Sequence, residues 1–315
     1  MTGMFDSSRH RSTRVGPARF IAVVALLVVG LVAGRPEAAA EPLLNGQGLL
    51  WRIDTPDSQP SYLFGTIHLT DDRVTKLPPL VAKTLAAADS LTLELVMSPE
   101  VMARLGAAMQ MTDGRRLDRI LGPEMFAEVV AAGTRYGLFE GVLRQIEPWA
   151  VSAVLSAPPA EMARSMAGMP TLDQTLQDQA IAAGIPVYAL ETVEEQLAAL
   201  GGLPEADQVT MLRHVLEDQP DIDRLIEELT QFYLARDLSG LYAWMMAQVS
   251  GADQVLYDRF LERIVDTRNQ TMASRLTDRL AEGNAFIAVG ALHLPGDAGI
   301  LNLLGQRGHT ISRVF

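Results

Sequence analysis

The chain has 315 residues, 48% of them apolar, with a formal net charge of −12 and no cysteine. That is enough chain for one large domain or two small ones with a proper core. The acidic balance argues against a general nucleic-acid binder, which needs a basic face to release counterions from phosphate; the missing cysteines exclude disulfides, thiolate nucleophiles, zinc–thiolate sites and a lipidated cysteine.

The first segment reads as an address. Arg9, Arg11, Arg14 and Arg19 make a positive stretch, residues 20–34 (FIAVVALLVVGLVAG) are uncharged and apolar, and Ala38, Ala39 and Ala40 offer a small-residue cleavage site. This is the tripartite signal-peptide pattern. Residues 1–40 are therefore expected to be removed, leaving 41–315 as one exported domain, periplasmic or extracellular. The competing reading is an uncleaved anchor in the inner membrane through 20–34, the only membrane contact expected. That stretch is shorter than the roughly 20 apolar residues a spanning helix needs.

Residues 49–54 and 61–65 read as short strands joined by the turn-rich TPDSQP. Pro78 and Pro79 open a helix to about residue 88, where the first turn needs no donor. Residues 90–96 (SLTLELV) alternate like a strand, with Glu94 among apolar neighbours. Residues 99–200 are mostly helical, broken by glycine and proline. The exception is 184–192, which reads as a buried strand ending at Glu191, with Thr192 as the next N-cap. Helices dominate 205–282. Over 253–281 Leu256, Phe260, Ile264 and then Met272, Leu276, Leu280 recur every four residues as an apolar stripe. Residues 285–290 and 310–315 read as strands. Strands at both ends with helices between predict an α/β (α+β-like) domain, its central sheet built from N- and C-terminal strands around a large helical insertion.

Two segments match. Leu63-Phe64-Gly65-Thr66-Ile67-His68 and Ala288-Val289-Gly290-Ala291-Leu292-His293 each end an apolar run with Gly-x-x-His. Loops at the carboxyl ends of strands build the ligand site in open α/β sheets. The glycine is expected to end the strand, letting the backbone turn or come close to a ligand, so that the two histidines meet across a cleft. The bland reading is two hydrogen-bonded core histidines. His214, near Arg213 and Glu217, reads as a surface residue, and His309 lies in a turn. Two imidazoles and a carboxylate suit a divalent ion. Glu94 and Glu191 are the candidate acids, against the alternatives of a solvent-facing strand residue and a first-turn helix acid. Arg268 falls on the apolar stripe, where it either finds an acidic partner or snorkels.

These segments, with "LTLEL", "TLDQTLQDQAIAAGIPVYALETVEEQ", "LPEADQ", "DTRNQTMASRL" and "FIAVGALHLPGDAGILNLLGQRGHTI", resemble in order the TraB/GumN family. That family includes the Tiki-type metalloproteases and is related to the erythromycin-esterase and ChaN-like proteins. The resemblance implies their α/β fold and a divalent-metal-dependent hydrolase, acting on peptide bonds. It implies His68, Glu94 and His293 as ligands of Mn, Co or Zn. Glu191 would be general base or orient a histidine from behind, and Arg268 would bind a substrate carboxylate or oxyanion. Asp173, Asn269, Gly65 and Gly290 would line the site. The expected partner is a peptide or small-molecule substrate. Two positions depart from the family: Thr171-Leu172 before Asp173, where glycine is common, and His309 where an aromatic is usual. The relatives also keep open a non-catalytic metal- or haem-binding protein and a metal-free esterase-like hydrolase. No Gly-x-Ser-x-Gly elbow supports a serine nucleophile.

Overall fold

Among the described residues six strands form one mixed sheet: β1 Leu50–Asp54, β2 Ser61–Thr66, β3 Ser90–Leu93, β4 Val187–Ala189, β5 Ala285–Gly290 and β6 Thr310–Arg313, in the order β4-β3-β5-β2-β1-β6. A computed structural model describes residues 42–249, 251 and 253–315; the presequence expectations lie outside the described residues. Strands β4, β3, β5 and β2 run parallel, while β1 lies antiparallel between β2 and β6. Parallel strands covered on both faces read as continuous apolar runs. β5 (AFIAVG) is such a strand, buried from Ala285 to Val289. Helices fill the gaps between strands, as the α/β reading expects. No helix among the described residues is long and apolar enough to cross a membrane.

Register aligns the strand ends. Thr66 pairs with Gly290, and Leu93 pairs with both Ala288 and Ala189. The carboxyl ends of four parallel strands therefore open at one edge of the sheet.

Four expectations need correction. Gly65 lies inside β2, paired with Val289, so it does not end the strand. Its φ is not positive either. What it supplies is room: a Cβ there would come within 2.7 Å of Leu294 Cδ1 and 3.1 Å of Ala291 Cα. β4 is an edge strand, with Tyr188 and Ala189 exposed, because it has a neighbour on one side only. Residues 253–281 are not one helix. Two α-helices, Gln254–Leu261 and Thr267–Glu282, are joined by a π-helical turn, Glu262–Asp266. Wider turns of this kind shift the phase of a stripe and recur at functional sites. His214 is buried, stacked on Tyr257 with Nδ1 3.2 Å from its hydroxyl.

Candidate functional site

The four strand ends deliver four of the expected residues. His68 follows β2, Glu94 follows β3 directly, Glu191 follows β4, and His293 closes a 3-10 turn after β5. Two helix starts deliver three more. Asp173 sits in the first turn of Leu172–Ala182, whose entry is fixed by a capping box between Thr171 and Gln174. Arg268 and Asn269 open Thr267–Glu282, just past the π-turn.

Each histidine is held from behind. His68 Nδ1 donates to Asp173 Oδ2 at 2.7 Å, and the other Asp173 oxygen accepts from Thr66 Oγ1 at 2.6 Å. His293 Nδ1 lies 2.6 Å from Asn269 Oδ1. Asn269 spends its amide N–H on Ala298 O at 2.9 Å, so its oxygen faces the ring and His293 Nδ1 carries the hydrogen. Both rings thus keep Nε2 as the free position.

Glu94 is buried between them. Its Oε1 accepts the Gly290 N–H at 2.6 Å and stands 3.6 Å from His293 Nε2; its Oε2 accepts from Arg268 Nη2 at 2.5 Å. Arg268 also grips Glu191, through Nε at 2.9 Å and Nη2 at 2.6 Å, and gives Nη1 to Ile264 O at 3.0 Å. Gln196 Nε2 adds a bond to Glu191 at 3.2 Å. The solvent-facing reading of Glu94 and the snorkelling reading of Arg268 therefore fall. Glu191 is a buried holder of Arg268.

The environment splits the two rings. Burial disfavours charge on His68, but the charge and hydrogen bond of Asp173, with Glu94 adding, outweigh it and carry the ring from 6.5 up to about 9. For His293 burial dominates; Glu94 opposes it, the charges on Arg268 and His68 reinforce it, and the ring falls to about 3. Burial also works against a charged Glu94, yet Arg268, then His293 and His68, hold it well below the usual carboxylate range.

A cavity of about 210 Å³ opens at this point, lined by His68, Glu94, Asp173, Arg268, Gly290 and His293 and otherwise mainly apolar. Gly65, Glu191 and Asn269 are not on the wall but behind it. His309 is elsewhere, with Nδ1 2.9 Å from Thr55 Oγ1. Tyr233 lines the cavity and donates its buried hydroxyl to Gly65 O at 2.9 Å; a lone tyrosine on a helix carries no signal by which sequence reasoning could find it.

Among the described residues no three His, Asp or Glu side chains are already gathered as a metal-holding group. The donors nevertheless suit one. A Cβ added at Gly290 would sit 3.2 Å from Glu94 Oε1, 3.4 Å from His293 Cδ2 and 3.9 Å from His68 Nε2. That single glycine keeps open a space faced by both rings and the carboxylate, and each imidazole has the Nδ1 support that metal-ligating histidines use. In this structure Glu94 is engaged on both oxygens, Oε1 by the Gly290 N–H and Oε2 by Arg268.

The sequence matches the model of the TraB/PrgY/gumN family over residues 49–313. It is 25% identical over 319 residues to "Metalloprotease TIKI1" of Danio rerio, covering 86% of this chain and 64% of that protein. It is 26% identical over 312 residues to "Metalloprotease TIKI2" of Danio rerio, covering 83% and 60%. To "Uncharacterized protein YbaP" of Escherichia coli (strain K12) it is 24% identical over 270 residues, covering 83% and 95%. The chain thus spans less than two thirds of those two Tiki proteins and nearly all of the bacterial one. No solved structure matches.

Proposed function

The chain belongs to the TraB/PrgY/gumN family, and from that premise we propose that it is an exported metal-dependent hydrolase that cleaves peptide bonds. The observation that carries the reading is the pair of supported imidazoles, each with Nδ1 spent and Nε2 free, facing Glu94 around Gly290. The metalloprotease names of the Tiki relatives favour the same chemistry.

His68, His293 and Glu94 would hold the ion, Mn, Co or Zn by donor type. A divalent ion there supplies a Lewis acid and lowers the pKa of water toward neutrality. The protein's own part is positioning. Asp173 and Asn269 fix the two rings, and the Gly290 N–H fixes Glu94 Oε1. Arg268, held by Glu191, keeps one of its five N–H groups after four are accounted for. Arg268 lines the cavity, and that group would meet negative charge developing on a substrate oxygen there. With both Glu191 oxygens occupied, we assign it to holding Arg268 and not to proton transfer.

A second reading rests on the opposed rings. A cationic His68 facing a neutral His293 is an acid–base pair that needs no metal. One experiment separates the two. The mature chain is stripped with chelator, assayed on a peptide mixture by mass spectrometry, and reloaded with Mn, Co and Zn separately. The metal reading expects cleavage to disappear and return with one of the ions, and to be absent in His293→Ala. Cleavage that survives exhaustive chelation would sink it and leave the acid–base pair.

A further inference from the structure

Besides the imidazoles, the cavity lining carries an apolar set of side chains that the proposed chemistry does not use. Leu95 and Met97 come from the segment after β3, Leu105 from the helix Pro99–Ala108, Leu200 from the helix Val193–Gly201, and Ile264 and Val265 from the π-turn. Leu95 and Met97 pack with Leu105 and Val193 in a small cluster apart from the main core. Both are half-buried.

Met97 is held there by a specific device. Buried Gln177 accepts the Met97 N–H on Oε1 at 2.8 Å and returns its Nε2 hydrogen to the Met97 carbonyl, also at 2.8 Å. β3 has ended by then, so this two-point clamp replaces a strand partner. It satisfies both backbone groups of Met97. The flexible thioether side chain is left to line the cavity, the kind of surface that adapts to what it meets.

Charge and size narrow what fits. Of the charged groups on the wall, Arg268 is already held by Glu94 and Glu191, and His68 and Asp173 hold each other, so neither an acidic nor a basic side chain finds a free opposite charge there. An apolar cavity of about 150 Å³ takes a benzene ring. A space of about 210 Å³ therefore has room for one large apolar side chain and part of its backbone.

We propose that this wall is a side-chain subsite. It takes one large apolar residue of a peptide, leucine, methionine or phenylalanine, beside the bond presented to His68 and His293, and Met97 sets its depth. The inference rests on the hydrolase reading for the fate of the bond, but not for which side chain binds.

The test uses capped amino-acid amides, with glycine, aspartate, lysine, leucine and phenylalanine in turn, titrated into the mature chain without added metal and read by nuclear magnetic resonance. The same series is then assayed as fluorogenic peptides with Mn, Co and Zn. One methylene in an apolar pocket discriminates by roughly tenfold or more. The leucine and phenylalanine amides should therefore bind at least tenfold tighter than the other three. Met97→Trp should remove that advantage for phenylalanine, and Met97→Ala should shift the optimum to larger side chains. Equal affinity across the series, or an unchanged order in both variants when circular dichroism shows them folded, overturns the proposal. Selective binding without hydrolysis supports the subsite and removes the hydrolase reading. Hydrolysis without selectivity does the reverse.

Discussion

His68 and His293 came from the same Gly-x-x-His pattern, yet the protein treats them differently. His68 has an anion behind it and His293 a neutral amide. A metal takes a neutral ring, so its uptake displaces a proton from His68 but none from His293 at neutral pH. Below about 9, the raised value for His68, each unit of pH lost should weaken metal binding about tenfold. Calorimetry at pH 7.5 in two buffers of different ionisation enthalpy should register about one proton released per site. Asp173→Asn removes the anion, leaves burial to dominate and lowers the His68 pKa. Proton release should then fall toward zero and metal affinity should drop by about 10–100-fold. Proton release unchanged in the variant would mean that Asp173 does not set the state of His68. The pairing of the two histidines was legible in the sequence. Their different supports were not, because Asp173 is 105 positions from His68 and no local pattern ties them together. The link between Arg268 and its two carboxylates was hidden in the same way, although a guanidinium on an apolar stripe pointed to a buried partner.

At the scale of elements, the two glycines of the repeated motif do separate jobs. Gly65 lets β2 approach the turn after β5, where the tightest backbone neighbour is Ala291 Cα. Backbone does not yield cheaply, so Gly65→Ala should cost about 1–3 kcal/mol by overpacking, read as a lower urea midpoint. At Gly290 the neighbours are side-chain tips of the site and φ is −51°. Gly290→Ala should change stability by less than Gly65→Ala yet impair metal binding, because its methyl enters the space the ligands share. Equal stability losses with metal binding intact would break the distinction. Strand positions followed from apolar runs, and the chain order of the strands was sufficient to suggest a shared sheet. Strand lengths were less legible. β3 stops at Leu93 because the next side chain is claimed by Gly290 N–H across the sheet's edge, a contact between distant parts of the chain. The π-turn was hidden as well, since intervals of four residues persist on each side of it.

At the scale of the molecule, four parallel strands ending in register put side chains from residues 68 to 293 around one cavity. The sheet is thus the device that turns a scattered set of polar residues into a site. Export is a claim about the whole chain. If residues 1–40 act as a signal peptide, the exported protein should begin at Glu41 on N-terminal sequencing, whereas an intact terminus in a membrane fraction would favour the anchor. Under the proposed function, His68, His293 and Glu94 together hold a divalent ion. Anomalous X-ray diffraction from crystals grown with Mn tests it most directly. An anomalous peak is expected in the cavity, bonded to Nε2 of both histidines and to Glu94, and lost in His68→Ala. No peak at that position under saturating metal, or a peak unaffected by removing His68, would contradict it.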